Sequence, residues 1–270
     1  MRAELGSRIH SRSDSVVDVF SRLLENVTQT ALGGCSSVVW NSVVSLLQPL
    51  LIGQFAVGQH DPEHFFVDAV APMLMQELRS FRDLFGGAKS AVNVTCLSCN
   101  KVTSSPVSLS TDDICLKTCF PGVDMETYLS ADICNVAPYR CVLDGCPNPD
   151  FNCESVETMS QWPAIFLAKS VIQVAGFLKG RVSAVSGNAV VFKIDDLQVR
   201  CGDHTLHYHA FFVIYKTGET ADSGHCICAV RVACGAKWRL LDDSSSRWIA
   251  AENVINADTY VVAYRRDESS

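Results

Sequence analysis

The hydrophobic rhythm of the chain changes twice along its length. From Ser15 to about Gly87 the apolar residues recur at intervals of three and four, the spacing of one buried helical stripe. "VVDVFSRLLENV" puts Val16, Val19, Phe20, Leu23 and Leu24 on one face, and "CSSVVWNSVVSLLQPLL" does the same with Val39, Val43, Leu46 and Leu50. A third helical stretch, "PEHFFVDAVAPMLMQELRSFRDLF", contains Pro72. Proline lacks an N–H and crowds the preceding turn, so a bend or break is expected there. Between about Lys89 and Gln161 the sequence is rich in cysteine and turn residues, with short strand-like pieces. From Trp162 onward alternation and β-branched residues take over, predicting strands in "AIFLAKSVIQV", "NAVVFKI", "LHYHAFFVIY", "HCICAVRV", "KWRLL" and "TYVVAYRR". Helices first and strands afterwards predict an α+β fold with an antiparallel sheet.

Composition narrows the class. With 270 residues, 48% hydrophobic and 19% charged, the chain can bury a sizeable core. A net charge of −7 gives no electrostatic reason to bind nucleic acid. The opening "MRAELGSRIHSRSD" is polar, without the apolar centre of a signal peptide. The longest apolar run, Val38 to Ile52, is interrupted by Asn41, Ser42, Gln48 and Pro49, too soon to span a bilayer. The expectation is a cytoplasmic or nuclear protein with no membrane contact.

Thirteen cysteines change that picture. In a reducing compartment they point to metal binding or catalysis rather than to disulfides. Most, including Cys115, Cys119, Cys134, Cys201, Cys228 and Cys234, read as small core residues. Cys96 and Cys99 differ: "TCLSCNK" is a tight C-x-x-C knuckle of the kind that sets two thiolates on one Zn²⁺. Cys141 and Cys146 in "YRCVLDGCPNP" are the natural second pair, with four residues between them, unless Cys134 or Cys153 replaces one ligand. A structural zinc would hold together a segment with little core of its own.

A second chemical signal lies near the C-terminus. In "SGHCICAVRVACGAKWRLLDDSSSRW" a histidine follows Gly224 on one expected strand, and Asp242 closes the next. A hairpin brings His225 and Asp242 together across 17 residues, the arrangement of a general base and the carboxylate that orients it.

Several ordered segments resemble the ubiquitin-specific proteases, papain-like deubiquitinases built from thumb, fingers and palm. "YHAFFVIYKTGETADSGHCICAVRV" resembles the family's His box, "KWRLLDDSSSRW" its Trp and Asp-Asp segment, and "VINADTYVVAYRR" its closing strand. "QHDPEHFFVDAV" resembles the Gln-x-Asp helix. "LFGGAKSAVNVTCLSCNKVTSSPVSLSTDDICL" and "YRCVLDGC" with "WPAIFLAKSVIQ" resemble the two zinc knuckles and their flanks. The resemblance implies a papain-like ubiquitin-specific-protease fold with a helical thumb (about 15–87), zinc-knuckle fingers (about 88–161) and an antiparallel β palm (about 162–270), after a polar tail over 1–14. It implies His225 as general base and Asp242 as its partner. Gln59, Asp61 and Gly224 would lie along the ubiquitin tail, and a structural Zn²⁺ would sit on Cys96, Cys99, Cys141 and Cys146. The partner it implies is ubiquitin, a ubiquitin-like modifier or a protein complex.

The departure is at the nucleophile. "VVWNSVVSLL" fits the downstream half of the family's Cys box, and counting back three from Asn41 puts Val38 where the nucleophile belongs. The nearest thiol, Cys35 in "LGGCSS", lies three residues earlier, about 4.5 Å along a helix axis. Its Leu-Gly-Gly approach still resembles a nucleophile at a helix N-terminus, where the dipole lowers a thiol pKa. The family's upstream oxyanion Asn is missing in both registers: Thr30 precedes Cys35 by five, and Gly33 precedes Val38 by five. The short stretch before the Gln-x-Asp helix implies a trimmed thumb. Two functions follow: a catalytically impaired pseudo-deubiquitinase that binds a modifier or protein partner, and an active thiol isopeptidase using Cys35, His225 and Asp242.

Overall fold

The structure is a computed structural model that describes residues 61–108, 114–120, 122–131, 133–137, 141, 145–147, 153–170, 174–178, 181–184, 190–220, 223–232, 237–243 and 245–267. The first two helical stretches, and with them Cys35, Val38 and Gln59, lie outside the described residues. Among those described, no helix is long and apolar enough to cross a membrane.

The third helical stretch is present, but it does not break at Pro72. Helix α1 (Pro62–His64) starts at Asp61, whose carboxylate accepts the Glu63 N–H at 3.0 Å. It passes into a π-helical turn over Phe65–Val70 and on into α2 (Ala71–Glu77). The Ala71 N–H bonds five residues back to the Phe66 carbonyl. This wider turn absorbs the position where Pro72 has no proton to give and its ring needs room. The break falls instead at Leu78, in extended conformation (φ −117°, ψ 106°), before α3 (Arg79–Phe85). Arg82 folds back there and donates to the Met75 carbonyl at 2.6 and 3.1 Å, satisfying an acceptor at the interrupted end. The buried stripe of this segment, Val70, Leu74, Met75, Leu78, Phe81 and Phe85, packs on Ile165.

Two sheets follow. Strands β1 (Lys89–Cys96), β2 (Val102–Ser108), β4 (Ile133–Ala137) and β5 (Cys153–Gln161) form an antiparallel sheet in the order β2-β1-β5-β4. Between β2 and β4 the chain leaves it for β3 (Leu116–Cys119) and α4 (Met125–Ser130). β3 joins the edge of a ten-stranded sheet, parallel to β6 (Ile165–Ser170). The main path of that sheet runs β13-β12-β11-β10-β14-β6-β3, otherwise antiparallel. Its strands are β10 (His204–Thr220), β11 (Ser223–Arg231), β12 (Trp238–Asp242), β13 (Ser245–Ile249) and β14 (Thr259–Arg266). β8 (Arg181–Ala184) and β9 (Leu197–Cys201) pair with β10, and β7 (Val174–Leu178) with β8.

In "NAVVFKI" the described residues form no strand: residues 190–193 alternate in burial, Val190 and Phe192 in and Val191 out, but join no ladder. β9 and β13 are not among the strands that the sequence pattern predicts. β13 is an edge strand with both faces largely exposed, so its sequence has no reason to alternate.

The main core lies on the large sheet, where Phe166 stacks on Tyr264 (centroids 5.2 Å) and meets Tyr208 edge-on at 5.0 Å. Two buried phenols pin loops to it: Tyr208 donates to the Pro163 carbonyl (2.7 Å) and Tyr215 to the Val254 carbonyl (2.6 Å). Tyr215→Phe should therefore cost about 1 kcal/mol in urea denaturation, the net worth of a buried hydrogen bond. Hydrogen exchange should localise the loosening to residues 251–258.

Candidate active site and metal centre

The β10–β11 hairpin positions the histidine. Thr217 stands opposite His225 and Lys216 opposite Cys226, so histidine and cysteine point to opposite faces. Gly224 sits at φ 152°, a backbone setting that glycine takes without strain. The Thr217 hydroxyl donates to the His225 carbonyl at 3.1 Å and holds the strand end in place. On the other side β12 pairs with β11 from Cys228↔Leu241, which delivers the end of β12 to the histidine.

There His225 Nε2 and Asp242 Oδ1 are 2.6 Å apart, with both side chains about half exposed. Asp243 lies next in line, its Oδ2 at 3.9 Å from the same nitrogen and its backbone left-handed (φ 47°). The hydrogen bond to Asp242 raises the His225 pKa above the usual imidazole value. Partial desolvation opposes the shift, and the charges of Asp243 and Asp242 reinforce it. With Nε2 anchored, Nδ1 has no partner among the described residues and is free to accept a proton. This is what a base–orienter pair requires.

Asp61 is held on the opposite face of β10. Its Oδ2 accepts from Lys216 Nζ (3.0 Å) and the Tyr260 hydroxyl (2.8 Å), while Oδ1 caps α1. Burial pushes this carboxyl up, but the bonds from Tyr260, Lys216 and the Glu63 N–H outweigh it and hold the pKa below the ordinary aspartate value. Two residues on, the buried carboxylate of Glu63 is paired with Lys169 of β6 at 2.5 Å. Lys169 and Lys216 also flank the Tyr260 ring, at 5.7 and 5.3 Å from its centroid.

Four thiols converge at the tip of the smaller sheet. Cys96, Cys99, Cys141 and Cys146 place their sulfurs within 4.8 Å of one another. Cys96 and Cys146 are 3.8 Å apart, and Cys99 and Cys141 3.9 Å. Zn–S bonds of about 2.3 Å in a tetrahedron set sulfurs about 3.8 Å apart. The Cys99 backbone N–H aimed at the Cys96 sulfur is the main influence that pulls this thiol down to about 6, against the effect of burial. Bonds from the Ser98 N–H and from the Cys99 and Cys146 side chains assist. Cys153 stands directly opposite Cys96 in the β1–β5 register, beside the set of four and not within it.

The structure thus brings together His225 with Asp242, and all four predicted thiols. Sequence reading gave no role to Asp243, Lys216, Tyr260, Glu63 or Lys169. The Asp-Asp pair was visible, but the partners of Asp61 and Glu63 are 106 to 199 residues away and left no local pattern.

No family model matches the chain. Among curated proteins it is 26% identical over 193 residues to ubiquitin carboxyl-terminal hydrolase 17-like protein A of Mus musculus, covering 67% of this chain and 34% of the relative's length. Among solved structures, a chain of the SAGA DUB module Ubp8/Sgf11/Sus1/Sgf73 bound to monoubiquitin superposes with a TM-score of 0.70 at 15% identity, covering 98% of this chain and 63% of that one. The same module bound to ubiquitin aldehyde gives a TM-score of 0.71 at 15% identity, covering 98% and 64%. The fold is that of the Ubp8 chain of this module, and in sequence the chain is similar to a ubiquitin carboxyl-terminal hydrolase at 26% identity.

Proposed function

We propose that this chain is a ubiquitin-specific-protease-like domain that binds ubiquitin or a ubiquitin-like modifier, alone or within a protein complex, and that its cleavage chemistry is impaired. The recognition half rests on the fold, whose solved counterparts carry monoubiquitin and ubiquitin aldehyde inside a multi-protein module. The impairment rests on one observation: in the only register that matches the Cys-box helix, Val38 stands where the nucleophile belongs. Gln59, Asp61 and Gly224 are the tail-binding residues in this reading. Cys96, Cys99, Cys141 and Cys146 hold a structural Zn²⁺, which fits their thiol-only composition and tetrahedral spacing.

A second reading is favoured by the assembled pair. Asp242 fixes the His225 ring and leaves Nδ1 open, the geometry for deprotonating a thiol. In that reading Cys35 is the nucleophile, Nδ1 takes its proton, and Asp242 stabilises the imidazolium.

One experiment separates them. The chain is mixed with ubiquitin carrying a thiol-reactive C-terminal electrophile, while free ubiquitin binding is measured by calorimetry. Binding without labelling is the expected result, because covalent capture needs a thiolate within about 3–3.5 Å of the reacting carbon. Val38→Cys should then introduce some labelling, held back by the missing oxyanion donor, whose loss typically costs about 10²–10³ in rate. Wild-type labelling that disappears in both Cys35→Ala and His225→Ala establishes the active isopeptidase instead. Failure to bind ubiquitin or any tested modifier sinks both readings.

A further inference from the structure

A trough in the face of the large sheet begins beside His225 and has no part in the base–orienter pair or the four-thiol centre. Residues directly opposite each other in an antiparallel pair share one side of the sheet. The registers Thr217↔His225, Tyr215↔Ile227, Ala229↔Leu240 and Leu240↔Arg247 therefore put all of these residues on the His225 side. Lys216, Cys226 and the Asp61 carboxylate are on the other. To pass from β13 to β14 the chain has to cross β12, β11 and β10, and residues 250–258 make that crossing. The Tyr215 hydroxyl donates to the Val254 carbonyl at 2.6 Å, which fixes the crossing on the His225 side. It leaves open a cavity of about 370 Å³, with Thr217 at the end nearest His225 and Ala250 and Asn253 on the far wall. The floor is Tyr215, Ile227, Leu240 and Ile249, and Arg247 and Asp258 stand at the rim.

We infer that this trough seats the polypeptide to which a modifier is joined, holding the residues that flank the modified lysine. This rests on the reading above, in which the modifier's tail reaches His225 past Asp61 and Gly224. A tail that arrives from the Asp61 side leaves the other side of His225 to whatever is bonded beyond its terminal carbonyl. Ile227 lies two residues along β11 from His225, roughly 6.7 Å. A lysine side chain spans roughly the same length, so its own backbone would run over the floor while the isopeptide stays at the histidine. The floor offers four apolar or aromatic side chains and calls for an apolar one above them. Arg247 and Asp258 are exposed, and neither is in an ion pair among the described residues. A guanidinium that no internal carboxylate claims presents two parallel donors to an incoming one. Arg247 belongs to β13, at the outer end, whereas the Asp258 carbonyl accepts from the Lys216 N–H of β10 and marks the inner end. The segment that fits is apolar close to the lysine and acidic beyond it.

The probe is ubiquitin linked through a non-cleavable isopeptide isostere to the lysine of the peptide Glu-Leu-Gly-Lys-Gly-Leu-Glu, whose symmetry serves either chain direction. The wild type should bind it at least about ten-fold more tightly than ubiquitin alone, the gain from burying one leucine. Ala250→Trp, at an exposed position on the trough wall, should erase that gain and leave the affinity for ubiquitin alone unchanged. Arg247→Glu should weaken the conjugate about three-fold, and lysines in place of both peptide glutamates should restore it. A conjugate bound no more tightly than ubiquitin, or a gain that survives Ala250→Trp, overturns the inference. A chain that binds neither loses the reading beneath it, and a second measurement then judges the trough by itself. Added alone at millimolar concentration, the peptide should move the methyl resonances of Ile227, Leu240 and Ile249 in the wild type and not in Ala250→Trp. Resonances that stay still in both mean that the trough takes no peptide, whether it is empty or filled by another segment of this chain, and refute the site.

Discussion

Stripping metal from the four-cysteine centre should unfold the sheet β2-β1-β5-β4 while the ten-stranded sheet persists. Among the described side chains the smaller sheet has almost no core of its own. β1 buries only its ends, at Ser90 and Cys96, and the large apolar clusters draw their buried members from the other sheet and the helices. What closes it is the knuckle, where the Asn100 N–H bonds to the Cys96 carbonyl at 2.8 Å and the Cys96 N–H to the Lys101 carbonyl at 3.0 Å. Structural sites of four thiolates bind zinc with apparent free energies of about 10–16 kcal/mol, and in small units that energy is folding energy. Elemental analysis should find zinc in the wild type, and Cys99→Ser should lose it. Chelation should abolish amide protection in β1, β2, β4 and β5 well before β10, β11 and β14. Unchanged exchange in a demonstrably metal-free chain would mean that the thiols are packing residues only.

The second large effect is expected at Glu63 and Lys169. The glutamate side chain is 4% exposed and its lysine partner 23%, so the pair is largely removed from water. Lys169→Met leaves a buried carboxylate without its counter-charge, at a cost of about 3 kcal/mol or more. The double change Glu63→Met with Lys169→Met should recover most of that loss, because two apolar side chains of similar volume need no desolvation penalty repaid. Urea denaturation of the single and double variants measures both values. If Lys169→Met costs under about 0.5 kcal/mol, the pair contributes no more than an exposed one.

The C-terminal half was legible because its central strands are long and rich in β-branched and aromatic residues. "TYVVAYRR" is buried on both faces from Thr259 to Tyr264, a near-continuous apolar run, and it forms as β14 over Thr259–Arg266. The clustering of the four thiols was legible because a C-x-x-C knuckle is a local constraint. The partners of Asp61 and Glu63 were not, since Lys216, Tyr260 and Lys169 acquire their roles only when sheet and helix pack together. The π turn before Pro72 was hidden for a related reason. A sequence shows that a proline lacks its N–H, but not that the preceding turn widens to accept it.

The path of the chain through β3 carries an evolutionary consequence. Because the backbone leaves the smaller sheet after β2 and returns at β4, it passes between the two sheets three times. A gene segment spanning residues 89–161 is therefore no transplantable cassette. Copied elsewhere it would bring Cys115, Cys119, Met125 and Leu129 out of the main core and expose them. Recombination could exchange the knuckle loops that carry the four thiols, but the sheet beneath them has to be inherited together with the palm.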